Sequence, residues 1–298
     1  MTDTLFNPTA SGILQRPLSA GKVFFCELFN GANGNNGINP NTPFSTIAYA
    51  LTQCVANRGD YIYVMDGWNE ATPIALNIAR THIIGIGNPR LPYVQMTEDG
   101  GNDAIFVLTN TEGDEIEIAG FSLGGGNATG GIEAAGGTTT DRAWIHHNVF
   151  GSLNAGDTPL YGVHISAAMN ARDWLIENNE FLGTSAFGGT ITASGVLISN
   201  SMQHRIRNNI FKQVISPAVS LVSARMVEVS GNRFSNPADV AGGAITLNAA
   251  CTLCELFANL AAFGETAGAL ANPFLDGAGA NANTWAGNMW HSTFSDPG

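Results

Sequence analysis

One phrase recurs through the second half of this chain and constrains its fold more than any other feature. It reads Trp144-Ile-His-His-Asn148-Val-Phe150, Leu175-Ile-Glu-Asn-Asn179-Glu-Phe181, Arg205-Ile-Arg-Asn-Asn209-Ile-Phe211 and Glu228-Val-Ser-Gly-Asn232-Arg-Phe234. A weaker copy, Glu255-Leu-Phe-Ala-Asn259-Leu-Ala261, keeps the Asn and loses the Phe. A shorter phrase precedes each copy: Gly131-Ile132, Gly162-Val163, Gly195-Val196, Ala218-Val219 and Ala244-Ile245. Repetition at such intervals signals stacked units.

The Phe positions lie 31, 30 and 23 residues apart, so the period varies while the phrase holds. Helical solenoids need fixed lengths, whereas a coil of short strands lets extra residues leave at a turn. Apolar residues alternate in Val163-His-Ile165 and Val219-Ser-Leu221, the period of a strand with one buried face. The pattern predicts an all-β fold, a single-stranded parallel β-helix of about seven rungs. Asn suits its turns because it tolerates left-handed backbone and bonds its neighbours.

The domain reading is an arm at 1–21, the coil at 22–262 and a C-terminal segment at 263–298. A capping helix is predicted at about 43–57. Thr42 would cap it, Pro43 would sit at its first position, and Phe44, Ile47, Ala48, Leu51 and Val55 would share a face. Past Ala262 the phrase is lost, and Trp285, Met289, Trp290 and Phe294 are expected to fold back over the last rung or dock on a neighbouring chain.

Composition narrows the partners. With 36 Gly and only 12% charged residues, the chain suits a turn-rich solenoid. A net charge of −12 disfavours nucleic acid. No apolar run reaches the ~18 residues of a membrane span, so no membrane partner is expected. The first residues lack a basic and apolar leader, so no secretion signal is expected. Cys26, Cys54, Cys251 and Cys254 read as buried free thiols. The Cys251–Cys254 pair has zinc-like spacing but no second pair to complete a site. No metal or cofactor is expected.

Gly34-Asn-Asn-Gly37, Pro40, Thr42-Pro-Phe-Ser-Thr-Ile47, Gly59-Asp-Tyr-Ile-Tyr-Val64 and Ile83-Ile-Gly-Ile-Gly87 resemble the opening of pectate-lyase-like right-handed parallel β-helix proteins. From Lys22 to about Phe121 the run is similar to β-helix virion proteins of tailed bacteriophages. Many relatives place Asp where this chain has Asn35 and Asn36, which weakens any carry-over of a calcium site there. The resemblance implies a virion protein made in the host cytoplasm, a capsid decoration or spike and fibre component. By analogy it would be a homotrimer that contacts capsid or other virion proteins through its arm.

The same fold hosts enzymes, so the acids matter. Lysine occurs only at Lys22 and Lys212. The Arg-x-Pro-x-x-Arg phrase of pectate lyases and the paired Asp-Asp of polygalacturonases are absent, and Trp144-Ile-His-His147 has His146 where pectate lyases have Asp. These features weigh against enzyme action. Aligning the phrases on their Asn puts His146, Glu177, Arg207 and Ser230 in one outward column, and Trp144, Leu175, Arg205 and Glu228 in the next. Such columns would be either cross-rung charge pairs or a polar patch for sugar or acid–base work. An enzyme would draw first on Glu177, Glu180 and His146, and a binding patch on Trp144 and Arg207, with host surface glycan as ligand. His147 and His164 read as surface or turn residues. In Asp114-Glu-Ile-Glu117 the acids are expected on the solvent face.

Overall fold

The structure is a computed structural model. It describes residues 21–66, 73–87, 93–97, 104–109, 115–124, 129–134, 140–151, 159–166, 171–183, 191–214, 217–235, 243–262, 272–278 and 282–291. Three parallel sheets run along one axis. Among the described residues the first has ten strands, from Val23–Glu27 to Thr284–Ala286, and the other two have eight each. The second runs from Val94–Thr97 to Met289–His291, the third from Ile74–Leu76 to Phe274–Asp276. The expected coil is present, with more rungs than the seven anticipated. The early rungs lack the Asn and Phe that mark the later ones.

Each sheet sends one file of side chains into the lumen. In the first sheet, in register, the file is Ile62, Ile83, Ile118, Ile145, Ile176, Ile206, Val229, Leu256 and Trp285. All but Trp285 are fully buried. β-Branched side chains pack well on a pleated surface, which favours this choice. In the second sheet Phe150, Phe181, Phe211 and Phe234 stack at centroid spacings of 4.7, 4.5 and 4.9 Å. The shorter phrase now has its reason. A Cβ on Gly131, Gly162 or Gly195 would lie 2.7, 2.6 or 2.8 Å from the ring of Phe150, Phe181 or Phe211.

From Trp144–His146 onward, two residues join each first-sheet strand to the second-sheet strand that follows it. The first of the pair is left-handed: His147, Asn178, Asn208, Gly231, Ala258 and Gly287 have φ of 52, 55, 54, 62, 54 and 62°. The second is the recurring Asn, buried at Asn148, Asn179, Asn209, Asn232 and Asn259 and half-buried at Asn288. Its role is therefore not left-handed backbone. In each of Asn148, Asn179, Asn209, Asn232 and Asn259, the backbone N–H and Nδ2 both donate to the Oδ1 of the next Asn, at 2.9–3.2 Å. Nδ2 also donates to a carbonyl of the preceding rung, Ile145 O in the case of Asn179. Buried amides are tolerated because every donor is met.

The ladder does not stop at Ala262. Asn259 donates to Asn288 Oδ1, and Thr284-Trp-Ala-Gly-Asn288-Met-Trp290 is a sixth copy of the phrase, its Phe replaced by Trp. The expected tail is thus a further rung, paired in register with the one before. Its lumen-directed Phe274, Trp285 and Trp290 put three aromatics at the end of the coil. Trp290 and Met289 remain 42% and 57% exposed, because no described rung follows them. Phe294 lies outside the described residues.

The capping helix is shorter than expected, Ile47–Gln53, with Thr46 as its N-cap accepting from the Tyr49 N–H. Residues 42–45 are not helical because their backbone is already used. Phe44 bridges to the first strand, donating to Phe25 O and accepting from Glu27 N–H, while Ser45 N–H donates to Asn33 Oδ1. Ile47, Ala50 and Leu51 cover the lumen, whereas Val55 is exposed. In the preceding loop Asn35 Nδ2 donates to Pro43 O, and Asn36 Oδ1 accepts from Thr42 and Ile38. Those amides serve the loop itself. The expected arm falls almost wholly on residues 1–20, outside the described residues.

Candidate functional site

The outward columns of the first sheet have the register read from the sequence. His146 pairs with Glu177, Glu177 with Arg207 and Arg207 with Ser230; beside them run Trp144, Leu175, Arg205 and Glu228. The contacts differ from the expected ones. Glu177 accepts from Trp144 Nε1 at 2.9 Å and from Arg207 Nε at 2.9 Å, not from His146. The indole lies over the His146 ring at 3.7 Å. Arg205 and Glu228 form no ion pair; Glu228 instead accepts the Ser230 hydroxyl at 2.6 Å.

Two residues missed in the sequence complete the site. The Trp144 column continues upstream through Glu117 and His82, where neither Asn nor Phe marks the rung, while the His146 column continues through Ala119 and Ile84. The Glu117-Ile118 and His82-Ile83 alternation was the available signal. Glu117 Oε1 lies 2.8 Å from His146 Nε2, and its Oε2 lies 2.6 Å from His82 Nδ1. His146 Nδ1 in turn sits 2.7 Å from His147 Nδ1. Glu117, expected on the solvent face, is 3% exposed, and His146 is 1% exposed. Glu115 takes the exposed corner between Arg80 and Arg142, and Asp114 lies outside the described residues.

Burial works to raise the Glu117 pKa, but hydrogen bonds and charge from His146 and His82 outweigh it and hold it down at about 2. With Glu117 ionised, both nitrogens facing it carry protons, an assignment that follows from the network. A single proton bridges His146 and His147, so those rings cannot both carry one at Nδ1 while in contact. Burial, then the neighbouring His146, lowers the His147 pKa. The result is a line of four titratable groups, His82, Glu117, His146 and His147, across three rungs.

The remaining predicted residues do not converge on it. Glu180 projects from the second sheet, where it pairs with Lys212. His164 is on the third sheet, stacked on Tyr161, with Nδ1 at 3.0 Å from Glu133. The Cys251 thiol donates to Leu221 O and Asn248 Oδ1, and the Cys254 thiol to Ala224 O.

A family model described as the right-handed β-helix region matches residues 97–256, more than half of the chain. The chain belongs to the right-handed β-helix family. A search of the curated proteins gave no match. Among solved structures, pectate lyase Pel9A is 11% identical, with 94% of this chain and 80% of that one covered and a TM-score of 0.37. A lacto-N-biosidase from Eubacterium ramulus is 10% identical over 96% of this chain and 69% of that one, TM-score 0.37. The enzymatically active domain of tailspike protein 2 from bacteriophage CBA120 is 12% identical over 81% and 43%, TM-score 0.27. At such identities the likeness concerns the β-helix fold alone and carries no argument about chemistry.

Proposed function

We propose that this β-helix is a rigid structural component of a tailed-phage virion, displayed on the particle as a homotrimer. The observation that carries the reading is how the outer acids are used. Glu177 is held by Trp144 and Arg207, Glu180 by Lys212 and Glu117 by two histidines, each from a neighbouring rung. Such pairs lock adjacent coils together. The Asn ladder from Asn148 to Asn288 and the stack of four Phe do the same inside, giving a stiff rod whose first sheet is about 43 Å long (ten strands at the ladder spacing). The phage resemblance of residues 22–121 supports the setting, and flat sheet faces suit packing about a threefold axis.

Density of intact particles is the test, with a threefold rod of that length expected on the capsid, spike or fibre. Purified protein that stays monomeric and fails to bind particles lacking it would overturn the proposal. A second reading is a glycan-active tailspike depolymerase or a non-catalytic glycan-binding adhesin. It is favoured by the half-buried Trp144 beside Arg207 and Glu177 on one face. Incubation with host surface polysaccharide separates the readings, since release of reducing ends or unsaturated products would establish the enzyme.

A further inference from the structure

One lumenal file of the third sheet changes character at the last described rung. From Leu76 through Ala134 and Ile198 to Leu247 it is apolar and buried throughout, and its next member in register is Asp276. The neighbouring file on that sheet ends at Phe274, the Ile file of the first sheet at Trp285 and the Phe file of the second at Trp290. With Asn272 and Asn288, these four side chains line an open cavity of about 530 Å³. Asp276 is held there without being neutralised. Its carboxylate accepts from Trp285 Nε1 at 2.9 Å, from Asn283 Nδ2 at 3.1 and 3.2 Å and from the Ala278 N–H at 2.9 Å. All three donors are neutral, whereas Glu115, Glu177 and Glu180 each meet an Arg or Lys of a neighbouring rung. Burial works to raise the Asp276 pKa, but those hydrogen bonds outweigh it and keep the group below its ordinary 3.8. The surrounding sequence offers no counter-ion. Residues 234–298 contain Asp239, Glu255, Glu265, Asp276 and Asp296 and neither Lys nor Arg.

We propose that this cavity binds an organic cation, an ammonium or guanidinium group lying against Trp285, Trp290 and Phe274 and within reach of Asp276. The chemistry selects that class. Aromatic faces attract cations through the ring quadrupole, most strongly for Trp, and more so where water is partly excluded. A metal ion fits poorly, because a single carboxylate among indoles is not a ligand set. No cluster of three His, Cys, Asp or Glu that could hold one occurs among the described residues. An anion would meet Asp276 with nothing to offset the repulsion. An apolar guest would cover the carboxylate without giving it a partner, which costs free energy. The volume lies within the roughly 300–1,000 Å³ of ordinary ligand pockets, room for a whole quaternary ammonium compound or the end of an arginine side chain. The site stands apart from the Trp144 face, five ladder steps or about 24 Å along the first sheet, and does not depend on the virion reading.

Fluorine NMR of the full chain labelled with fluorotryptophan tests the assignment, with Trp144 and Trp174 as internal references for Trp285 and Trp290. The probes are choline, a short peptide bearing one arginine, maltose, and dimethylbutanol, the uncharged carbon isostere of choline. Saturable shifts of Trp285 and Trp290 are expected with choline or the peptide, weakening as salt is added, while the isostere and the sugar leave both in place. The tighter of the two cations tells a free ammonium compound from the side chain of a partner protein. Asp276→Asn keeps the shape and removes the charge, and is expected to weaken binding roughly tenfold, as is Trp290→Ala at the exposed end. Should either variant disturb the Trp174 resonance, the salt dependence of the unaltered chain decides. Equal shifts with the isostere would overturn the proposal and leave an apolar hollow, and shifts with maltose alone would assign the cavity to a sugar. Silence of both tryptophans with every probe would also sink it, and movement confined to Trp144 would move the cation site to the first-sheet face. A response seen only in a chain cut after His291 would count against it too, since the cavity would then seat the chain's own following residues.

Discussion

Asn209 and Phe211 sit two positions apart and hold the coil by different physics. Asn209 is bonded on every polar atom, so Asn209→Ala leaves the Asn179 backbone N–H without its acceptor and takes one of two acceptors from Asn179 Nδ2 in a dry turn. An unmet buried group costs ~1–3 kcal/mol, and a loss of roughly 2–4 kcal/mol is expected in denaturant unfolding. Phe211→Ala removes a ring from the middle of the stack, with an expected loss of about 3–5 kcal/mol. His204 is a different case. Its Nδ1 accepts the Trp174 N–H and its Nε2 donates to Ser201, and burial pushes its pKa down to about 3 from the usual 6.5. The unfolded chain therefore takes up this proton first. The stability contribution is complete above about pH 6.5 and is lost as pH falls from there towards 3. Glu117 adds a second loss below its ordinary 4.5, continuing to about pH 2. In His204→Gln, stability measured by chemical denaturation is expected to be flatter between pH 6 and 5 than in the parent. An identical slope would sink the assignment.

At the scale of elements, the sequence revealed most where side chains repeat and least where backbone partners decide. The phrase exposed the Phe file and both outward columns in the right register, because strand periodicity carries over directly from residue order. It did not reveal which neighbours each acid would choose, since His146, Trp144 and Arg207 all lie on strands beside Glu177 and rotamers give it to Trp144 and Arg207. The helix start was misplaced because a tertiary bridge at Phe44 overrides a good local cap. A second left-handed corner was also hidden. Just before first-sheet strands, Arg80, Glu115, Arg142, Asp173, Gln203, Met226 and Leu253 all have φ between 52 and 65°. Nothing in that set marks the conformation, because Gly and Asn, its usual signals, are missing. Leu253 has φ 59° and is 60% exposed, so it bears backbone strain with little burial in return. Left-handed backbone costs an L residue roughly 1–2 kcal/mol, less for Asn. Leu253→Asn is therefore expected to raise stability by about 0.5–1 kcal/mol, measured as a higher denaturation midpoint.

For the whole molecule, stability in a solenoid is close to a sum of rungs and the interfaces between neighbours, so its ends decide how it opens. The N-terminal end is closed by the helix Ile47–Gln53. At the C-terminal side the last described rung is the sixth phrase, where Trp285 continues the Ile file and Trp290 the Phe file. A chain ending at Ala262 separates a last rung from a mere tail. If residues beyond 262 only lay against a finished coil, their loss would leave the Asn259 neighbourhood intact. As a rung, they supply Asn288 Oδ1 to both Asn259 donors and a paired strand to each of the three sheets. Truncation is then expected to speed hydrogen exchange at Leu256 to Ala261 by orders of magnitude and to lower the denaturation midpoint. It also uncovers parallel edges that pair readily with other chains, so association at micromolar concentration should accompany it. Unchanged exchange in those amides would mean that the coil is complete at Ala262, and that the aromatics after it contribute nothing to its end.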